Sequence, residues 1–154
     1  MIQRIQTLYM LLCCAALAVT AFTPIAMFTA NGEEMVLKAF SLSSTSGSVT
    51  MSALWMGILI WASLILPLLM IFFYHHRTFQ LRMMVVECVL LLGVMAYEAV
   101  YCFITVKYIQ GMEHCAFKVQ TGAIMPIVAL ILSILAARAI FRDIVLLRSL
   151  DRIR

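Results

Sequence analysis

Two glutamates, Glu87 and Glu98, lie inside one long apolar segment of this chain, where charged residues are scarce. They are eleven residues apart, which is about three helical turns with a drift of only ~20°, so both would lie on one face of a helix. A carboxylate in a segment that could cross a membrane is costly and usually faces protein or water instead of lipid. The stripe that carries both glutamates should therefore face the interior of a bundle or a partner. It is completed by Leu91, Val94, Tyr101 and Thr105.

The two carboxylates could form a proton or cation path, but Glu87 also has a structural interpretation. Both Glu87 and Arg138 lie about one turn from the same end of neighbouring antiparallel segments, and buried charges are normally paired. We therefore predict a Glu87–Arg138 ion pair. Glu98 has no cation at its depth, so it would be protonated, hydrogen-bonded to a Tyr or Thr, or exposed to water. Glu98 is the better functional candidate of the two.

The composition indicates a membrane protein. The 154 residues are 65% hydrophobic and 12% charged, with a mean hydropathy of +1.07. A soluble domain is usually about 45–50% apolar and about 25% charged. The net charge of +4 is modest and comes mainly from the ends of apolar segments, so the chain should interact with the lipid bilayer and not with nucleic acid.

Four apolar stretches are each long enough to cross ~30 Å of hydrocarbon at 1.5 Å per residue. They predict an all-α fold, a four-helix transmembrane bundle that forms a single domain over residues 1–154. The first stretch could alternatively be a signal peptide cleaved near Ala21, but its apolar run continues to Phe28, which favours an anchor. The predicted helices span about 5–28, 53–74, 83–106 and 124–141, the last continuing to about 152.

The fourth helix should project beyond the membrane. A helix from Ile124 to Arg154 would be ~46 Å long, against ~30 Å of hydrocarbon. Its last turns combine an apolar stripe with a charged, solvent-facing side, which is typical of an extended cytoplasmic helix. The apolar residues are Ile140, Ile144, Leu147 and Leu150, and the charged ones are Arg142, Asp143, Arg148 and Arg152. Alternatively, this part could bend to lie on the lipid headgroups.

The arginines predict the orientation. All eight fall on one side of the predicted spans, and the three lysines fall on the other. The positive-inside rule then places both termini in the cytoplasm and loops 30–52 and 107–122 outside. The cytoplasmic charged residues could bind anionic lipid or dock a membrane-protein partner. Besides Arg138, they are Arg4, Arg77, Arg82, Arg142, Arg148, Asp151, Arg152 and Arg154.

The outer loops contain strand-like patterns. Residues 35–40 are apolar with one charge, and residues 48–51 and 115–120 partly alternate between polar and apolar types. The Ser/Thr-rich run 42–47 reads as a turn. We expect a small extracytoplasmic β element that joins the two loops, although irregular loops are the alternative.

Small residues at a spacing of four form a line on the fourth helix, which allows close helix packing inside one protomer or in a homo-oligomer. These residues are Ala129, Ser133 and Ala137. A bond between Cys102 and Cys115 would join the third helix to the second outer loop, but their separation is not fixed by the sequence.

Catalytic, metal and cofactor motifs are missing from the sequence. There is no CxxC pair, P-loop or Ser/His/Asp set. Adjacent His75 and His76 would point in different directions on a helix and lack a third ligand. We therefore expect no enzymatic activity, no metal and no cofactor.

Both ends and one internal segment resemble a known family. The opening MIQRIQTLY, the basic RTFQLR at 77–82, and AARAI at 136–140, followed by RD and LRSLDRIR, are similar to an uncharacterised bacterial inner-membrane family catalogued as a domain of unknown function. That family often has an acidic residue after the Asp equivalent to Asp143, whereas this chain has Ile144. The resemblance implies four helices in the inner membrane and no particular activity.

Together these observations predict an integral inner-membrane protein. Its most plausible role is a non-enzymatic structural or accessory subunit of a membrane assembly. The alternative is a small proton, ion or solute carrier that uses Glu98 and Glu87.

Overall fold

The computed structural model describes residues 2–30, 33–44, 49–73, 77–109 and 116–151. Within these residues the chain forms four helices and five strands. The helices are α1 (Ile2–Phe22), α2 (Leu54–Phe72), α3 (Arg77–Ile109) and α4 (Thr121–Asp151). The strands are β1 (Ala26–Ala30), β2 (Glu33–Leu37), β3 (Ser41–Ser44), β4 (Val49–Ser52) and β5 (Ala116–Val119).

The helices form a bundle in which each packs against two neighbours, in the ring order α1, α2, α3, α4. All four are long and apolar enough to cross a membrane. The strands lie at one end of this bundle, which we call the sheet end. The opposite end, where Arg77 forms an ion pair with Asp143, is called the arginine end.

The first helix is shorter than predicted. It ends at Phe22 instead of about Phe28, and Pro24 follows two residues later, where the residue before a proline is disfavoured in helical conformation. The apolar residues from Ile25 to Phe28 enter strand β1, where Ile25, Ala26 and Phe28 are fully buried. Their apolar character therefore reflects the packing of the sheet against the helices. The predicted end of the first helix, at about residue 28, is wrong.

Helices α3 and α4 extend further than their apolar cores, whereas α2 (Leu54–Phe72) lies within its predicted span. Helix α3 begins at Arg77, so the basic segment 77–82 forms its first turns instead of a loop. Helix α4 runs without interruption to Asp151, which confirms the predicted helical extension. Since polar residues at helix ends can remain helical when their side chains find partners, hydropathy alone underestimates both lengths.

The predicted β element is a five-stranded antiparallel sheet of order β4-β3-β2-β1-β5. It joins the segments before α2 and before α4, as expected. The turn predicted at 42–47 is wrong for residues 42–44, which belong to β3. Leu42 is buried there opposite Leu37, and this contact stabilises a strand despite the serines. Residues 45–48 lie outside the described part.

One face of the sheet caps the apolar interior of the bundle. Phe28 and Leu37 pack with Met56 and Ile60 of α2 and with Val94 of α3. Backbone hydrogen bonds also connect the sheet to the adjoining helix starts. The N–H groups of Gly122, Gln120 and Ala53 donate to the carbonyl oxygens of Pro24 (3.2 Å), Ile25 (3.0 Å) and Phe40 (2.8 Å), respectively.

Candidate functional site

Helix α3 presents both glutamates to the bundle interior, as the spacing predicts. Glu87 and Glu98 are buried, and so are Leu91 and Val94 between them. Tyr101 is half-buried and Thr105 is buried further along the same stripe. Because α3 packs between α2 and α4, this stripe faces the centre of the bundle.

Glu87 is buried without a compensating charge. Its exposed fraction is 0%, and within the described part of the chain neither Oε1 nor Oε2 has a hydrogen-bond partner. The predicted ion pair with Arg138 is wrong, because Arg138 is on the exposed face of α4. It lies two residues, or about 200° of rotation, from the buried Ala136 and Ile140. The Cys88 thiol lies 3.2 Å from the Ser133 hydroxyl, so Glu87 is near the level of Ser133, five residues before Arg138, and the predicted depth is wrong as well as the direction.

Two cysteine side chains lie near Glu87, but their described hydrogen bonds are with other groups. The Cys13 and Cys14 thiols lie within electrostatic reach of its carboxyl group. The Cys13 thiol, however, donates to the Ala129 carbonyl oxygen at 3.5 Å, and the Cys14 thiol contacts the Leu64 carbonyl oxygen at 3.9 Å. A carboxyl group in this position could hold a proton or coordinate a small cation, since its oxygens remain available.

Glu98 lies closer to the sheet end and is 5% exposed. Its Oε1 has no hydrogen-bond partner among the described residues. The Thr105 hydroxyl donates to the Tyr101 carbonyl oxygen (2.8 Å), and the Tyr101 hydroxyl donates to the Ser52 carbonyl oxygen (3.4 Å). Both hydroxyl groups therefore donate to backbone carbonyl oxygens, so neither supplies the Tyr or Thr hydrogen bond that was one expected alternative for Glu98.

The two glutamates do not form a continuous polar path along α3. Eleven residues of helix separate them by ~16 Å. Leu91 and Val94, which are fully buried, fill the interior face between them. Direct proton transfer needs groups within hydrogen-bond reach or one intervening water, so each carboxyl group is a separate candidate site.

A polar cluster at the arginine end was not identified from the sequence. The Gln6 side chain donates to Asp143 Oδ2 at 2.6 Å and to the Ala139 carbonyl oxygen at 3.2 Å. The Arg77 guanidinium lies 3.3 Å from the same Asp143 oxygen. We call Gln6, Arg77 and Asp143 the latch, because these residues connect α1, α3 and α4.

Helical periodicity contained a signal for the latch. Asp143 was grouped with the exposed charged residues, yet it is only 4% exposed. It lies three residues after the buried Ile140, and Gln6 lies four residues before the buried Met10, so both continue an interior face. Gln80 adds α2 to this end, since its side chain donates to the Met70 carbonyl oxygen at 3.2 Å.

The small residues of α4 support packing within one chain. Ala129 and Ser133 are fully buried, and Ala137 is half-buried. The Ser133 hydroxyl donates to the Leu130 carbonyl oxygen (2.9 Å), so the Cys88 thiol, 3.2 Å away, acts as the donor to Ser133. Close approach of α3 to α4 depends on these small side chains. Association with a second copy remains a prediction.

The remaining predicted residues are described only in part. Arg82 and Arg142 are exposed at the arginine end, and the Cys102 thiol is free. Within the described ranges, no group of three His, Cys, Asp or Glu residues could hold a metal ion. The side chains or residues that are not described include Arg4, His75, His76, Cys115, Arg148, Asp151, Arg152 and Arg154.

The chain matches a known protein family over almost its whole length. A family model described as a domain of unknown function (DUF4293) matches residues 2–153. The chain belongs to this family. The match includes both ends and the basic segment 77–82, which carry the resemblance noted in the sequence. No curated protein sequence matches the chain.

Proposed function

We propose that the chain is an integral protein of the bacterial inner membrane with both termini in the cytoplasm, where it serves as a non-enzymatic structural or accessory subunit. Four helices long and apolar enough to span a membrane support the location. The arginine end supports the orientation, because arginine accumulates on the cytoplasmic side of membrane proteins. The sheet would then lie on the outer side.

The main support for a subunit role is the end of α4 beyond the latch. We call residues 144–151 the α4 tip, which extends ~12 Å past Asp143. Three large apolar side chains remain exposed there, with fractions of 49% for Val145, 50% for Leu146 and 45% for Leu147. These side chains close the candidate span Thr121–Leu147, and a cluster of exposed apolar side chains past the latch favours a protein-binding surface.

The charge near the α4 tip indicates the chemistry of the partner. Asp143 is neutralised by Arg77 inside the latch. The residues around and beyond it contain Arg142, Arg148, Arg152 and Arg154 against Asp151. An apolar helix face with an excess of arginine fits a partner surface that has an apolar centre and an acidic rim.

The test is gentle purification from the native membrane, followed by mass spectrometry of the intact particle and its components. A truncation that removes 145–154 keeps Asp143 and therefore keeps the latch. We expect a stoichiometric partner in the wild type and its loss in the truncation. Ser149→Ala is the control, since its hydroxyl bonds only to the helix's own Leu146 carbonyl oxygen. A partner that stays bound after truncation would contradict the assignment to the tip.

A second candidate, a small proton, ion or solute carrier, is favoured by buried carboxyl oxygens that have no hydrogen-bond partner among the described residues. These are both oxygens of Glu87 and Oε1 of Glu98. Reconstituted vesicles with a pH-sensitive dye inside would report proton flux. A carrier should lose flux in Glu87→Gln or Glu98→Gln but keep it in Glu34→Gln, which changes an exposed residue of β2. Equal flux in all variants and in empty vesicles would exclude a proton-carrier role for these glutamates.

A further inference from the structure

An open groove of about 1170 Å³ runs along the outward face of α4 at the arginine end. Helices α1 and α3 bound it through Tyr9 and Leu81, and its floor includes Ile134 and Leu135. One end of the groove borders the α4 tip at Val145. Since this face of the bundle is directed away from the other helices, a lipid chain could lie along its apolar part.

Two arginines give the groove a strongly basic section. Arg138 and Arg142 both line it and are both exposed. They are four residues apart, so their side chains emerge from neighbouring positions on one helix face. Within the described part of the chain neither forms an ion pair, whereas Arg77 at the same end is paired with Asp143. None of the described residues that line the groove is acidic.

The depth of these arginines matches the phosphates of a lipid leaflet. Helix α4 begins at Thr121, beside the sheet. At 1.5 Å per residue, ~30 Å of hydrocarbon corresponds to about twenty residues, which places the far boundary near Arg142. Arg138 then lies ~6 Å inside this boundary, a distance that a long arginine side chain can span toward the headgroups.

We infer that this groove binds an anionic phospholipid, with the guanidinium groups of Arg138 and Arg142 on its phosphate and its acyl chains along Ile134 and Leu135. A guanidinium–phosphate contact is a strong charge-assisted interaction. Two adjacent cations, with no acidic residue among the described residues that line the groove, favour a lipid of net negative charge over one whose headgroup also carries an ammonium. The site adjoins the partner surface proposed at the α4 tip, since Val145 and Leu146 also line the groove, but its two arginines lie before the tip.

The experiment uses the full chain in nanodiscs made of phosphatidylcholine and phosphatidylglycerol. After release from the discs, native mass spectrometry measures how much of each lipid the protein retains. Phosphatidylglycerol should be enriched over its share in the disc. Arg138→Gln and Arg142→Gln should each reduce its retention about fivefold, the effect expected for one arginine near a membrane surface.

Arg82→Gln is the matched control, because Arg82 is exposed at the same end but does not line the groove. It should leave lipid retention unchanged, and Arg138→Lys, which keeps the charge, should retain more phosphatidylglycerol than Arg138→Gln. Thermal unfolding of each variant checks that the fold is intact.

Three results would overturn the inference. They are equal retention of the two lipids by the wild type, retention that does not depend on Arg138 and Arg142, and an equal loss in Arg82→Gln. If the arginine variants instead lose a co-purifying protein and keep the lipid, the groove is a protein interface. The truncation of residues 145–154 also removes Val145 and Leu146 from the groove, so the arginine variants, which leave the tip intact, are the ones that distinguish lipid binding from partner binding.

Discussion

Both ends of the bundle have a buried apolar cluster, but the arginine end adds a cluster of polar side chains to it. At the sheet end, fully buried apolar side chains such as Phe28 and Leu37 pack against the helices, and backbone hydrogen bonds fix the helix starts. At the arginine end, the described contacts between helices include the polar side chains of Gln6, Arg77 and Asp143. Apolar burial is not directional and adds up over area, whereas a polar cluster depends on each member. Single substitutions should therefore have different consequences at the two ends.

The largest effect is expected at the sheet end from Phe28→Ala. Phe28 is fully buried and its ring lies 5.2 Å from that of Phe117. Removal of such a ring leaves a cavity and costs about 3–5 kcal/mol of unfolding free energy. Denaturant unfolding in detergent measures this value, and Phe22→Ala, an exposed residue at the same end, is the control. A loss no larger than that of the control would show that the sheet does not stabilise the bundle.

The junction between sheet and helix can be tested at Gly122. A Cβ added there would lie 2.6 Å from the Pro24 carbonyl oxygen, which is backbone and cannot rotate away. Gly122→Ala should therefore destabilise the protein by about 1–3 kcal/mol, the usual cost of overpacking.

Two other glycines provide graded controls in the same unfolding measurement. At Gly57 the added Cβ would overlap the Phe40 ring, a side chain that can move, so a smaller loss is expected. At Gly93 nothing lies within 4 Å of the added Cβ, and Gly93→Ala should stabilise the helix by up to about 1 kcal/mol. The opposite ranking would contradict the close approach at Gly122.

The arginine end should respond locally to Asp143→Asn. Loss of the carboxylate leaves Arg77 unpaired and weakens the Gln6 hydrogen bond, which should cost about 1–2 kcal/mol. Hydrogen exchange should rise in residues 2–10 and 77–81 and stay unchanged in the sheet. In a double-mutant cycle with Arg77→Gln, a coupling energy near zero would show that the latch is not energetically linked. Arg142→Gln, an exposed neighbour, serves as the control.

The smallest effect on stability is expected between the two ends, at Glu87. Since its oxygens have no described partner, Glu87→Met removes an uncompensated buried polar group and should be neutral or slightly stabilising. Combination with Arg138→Met should be additive, because Arg138 points away from the interior. A coupling energy above about 0.5 kcal/mol would indicate a direct Glu87–Arg138 contact after all.

Most of the secondary structure at both ends could be predicted from the sequence. Hydropathy located all four helices, and the alternating outer segments predicted the sheet. The segment 25–28 was assigned to the wrong element, because an apolar run is equally compatible with a membrane helix and with a strand buried on one face. Pro24 was the local signal for a boundary at that point.

At the candidate site, the sequence predicts the position of a residue along its helix but not the direction of its side chain. Counting residues along a helix places Glu87 and Arg138 only in the same half of the bundle, because the rise per residue is constant but the offset between two helices is not. Whether their side chains meet depends on how each helix is rotated about its axis, and that is decided by the packing of its neighbours. Asp143 was placed among exposed charges for the same reason.

The sequence by itself therefore determined the four apolar helices, the separation of arginines from lysines and the shared face of the two glutamates. Each of these is a local property of composition or period. Only the tertiary structure decided that Glu87 has no hydrogen-bond partner among the described residues, that Asp143 forms the latch with Gln6 and Arg77, and that Arg138 and Arg142 line an outward groove. Those features depend on contacts between segments far apart in the chain, and such contacts are set by the packing of the whole bundle.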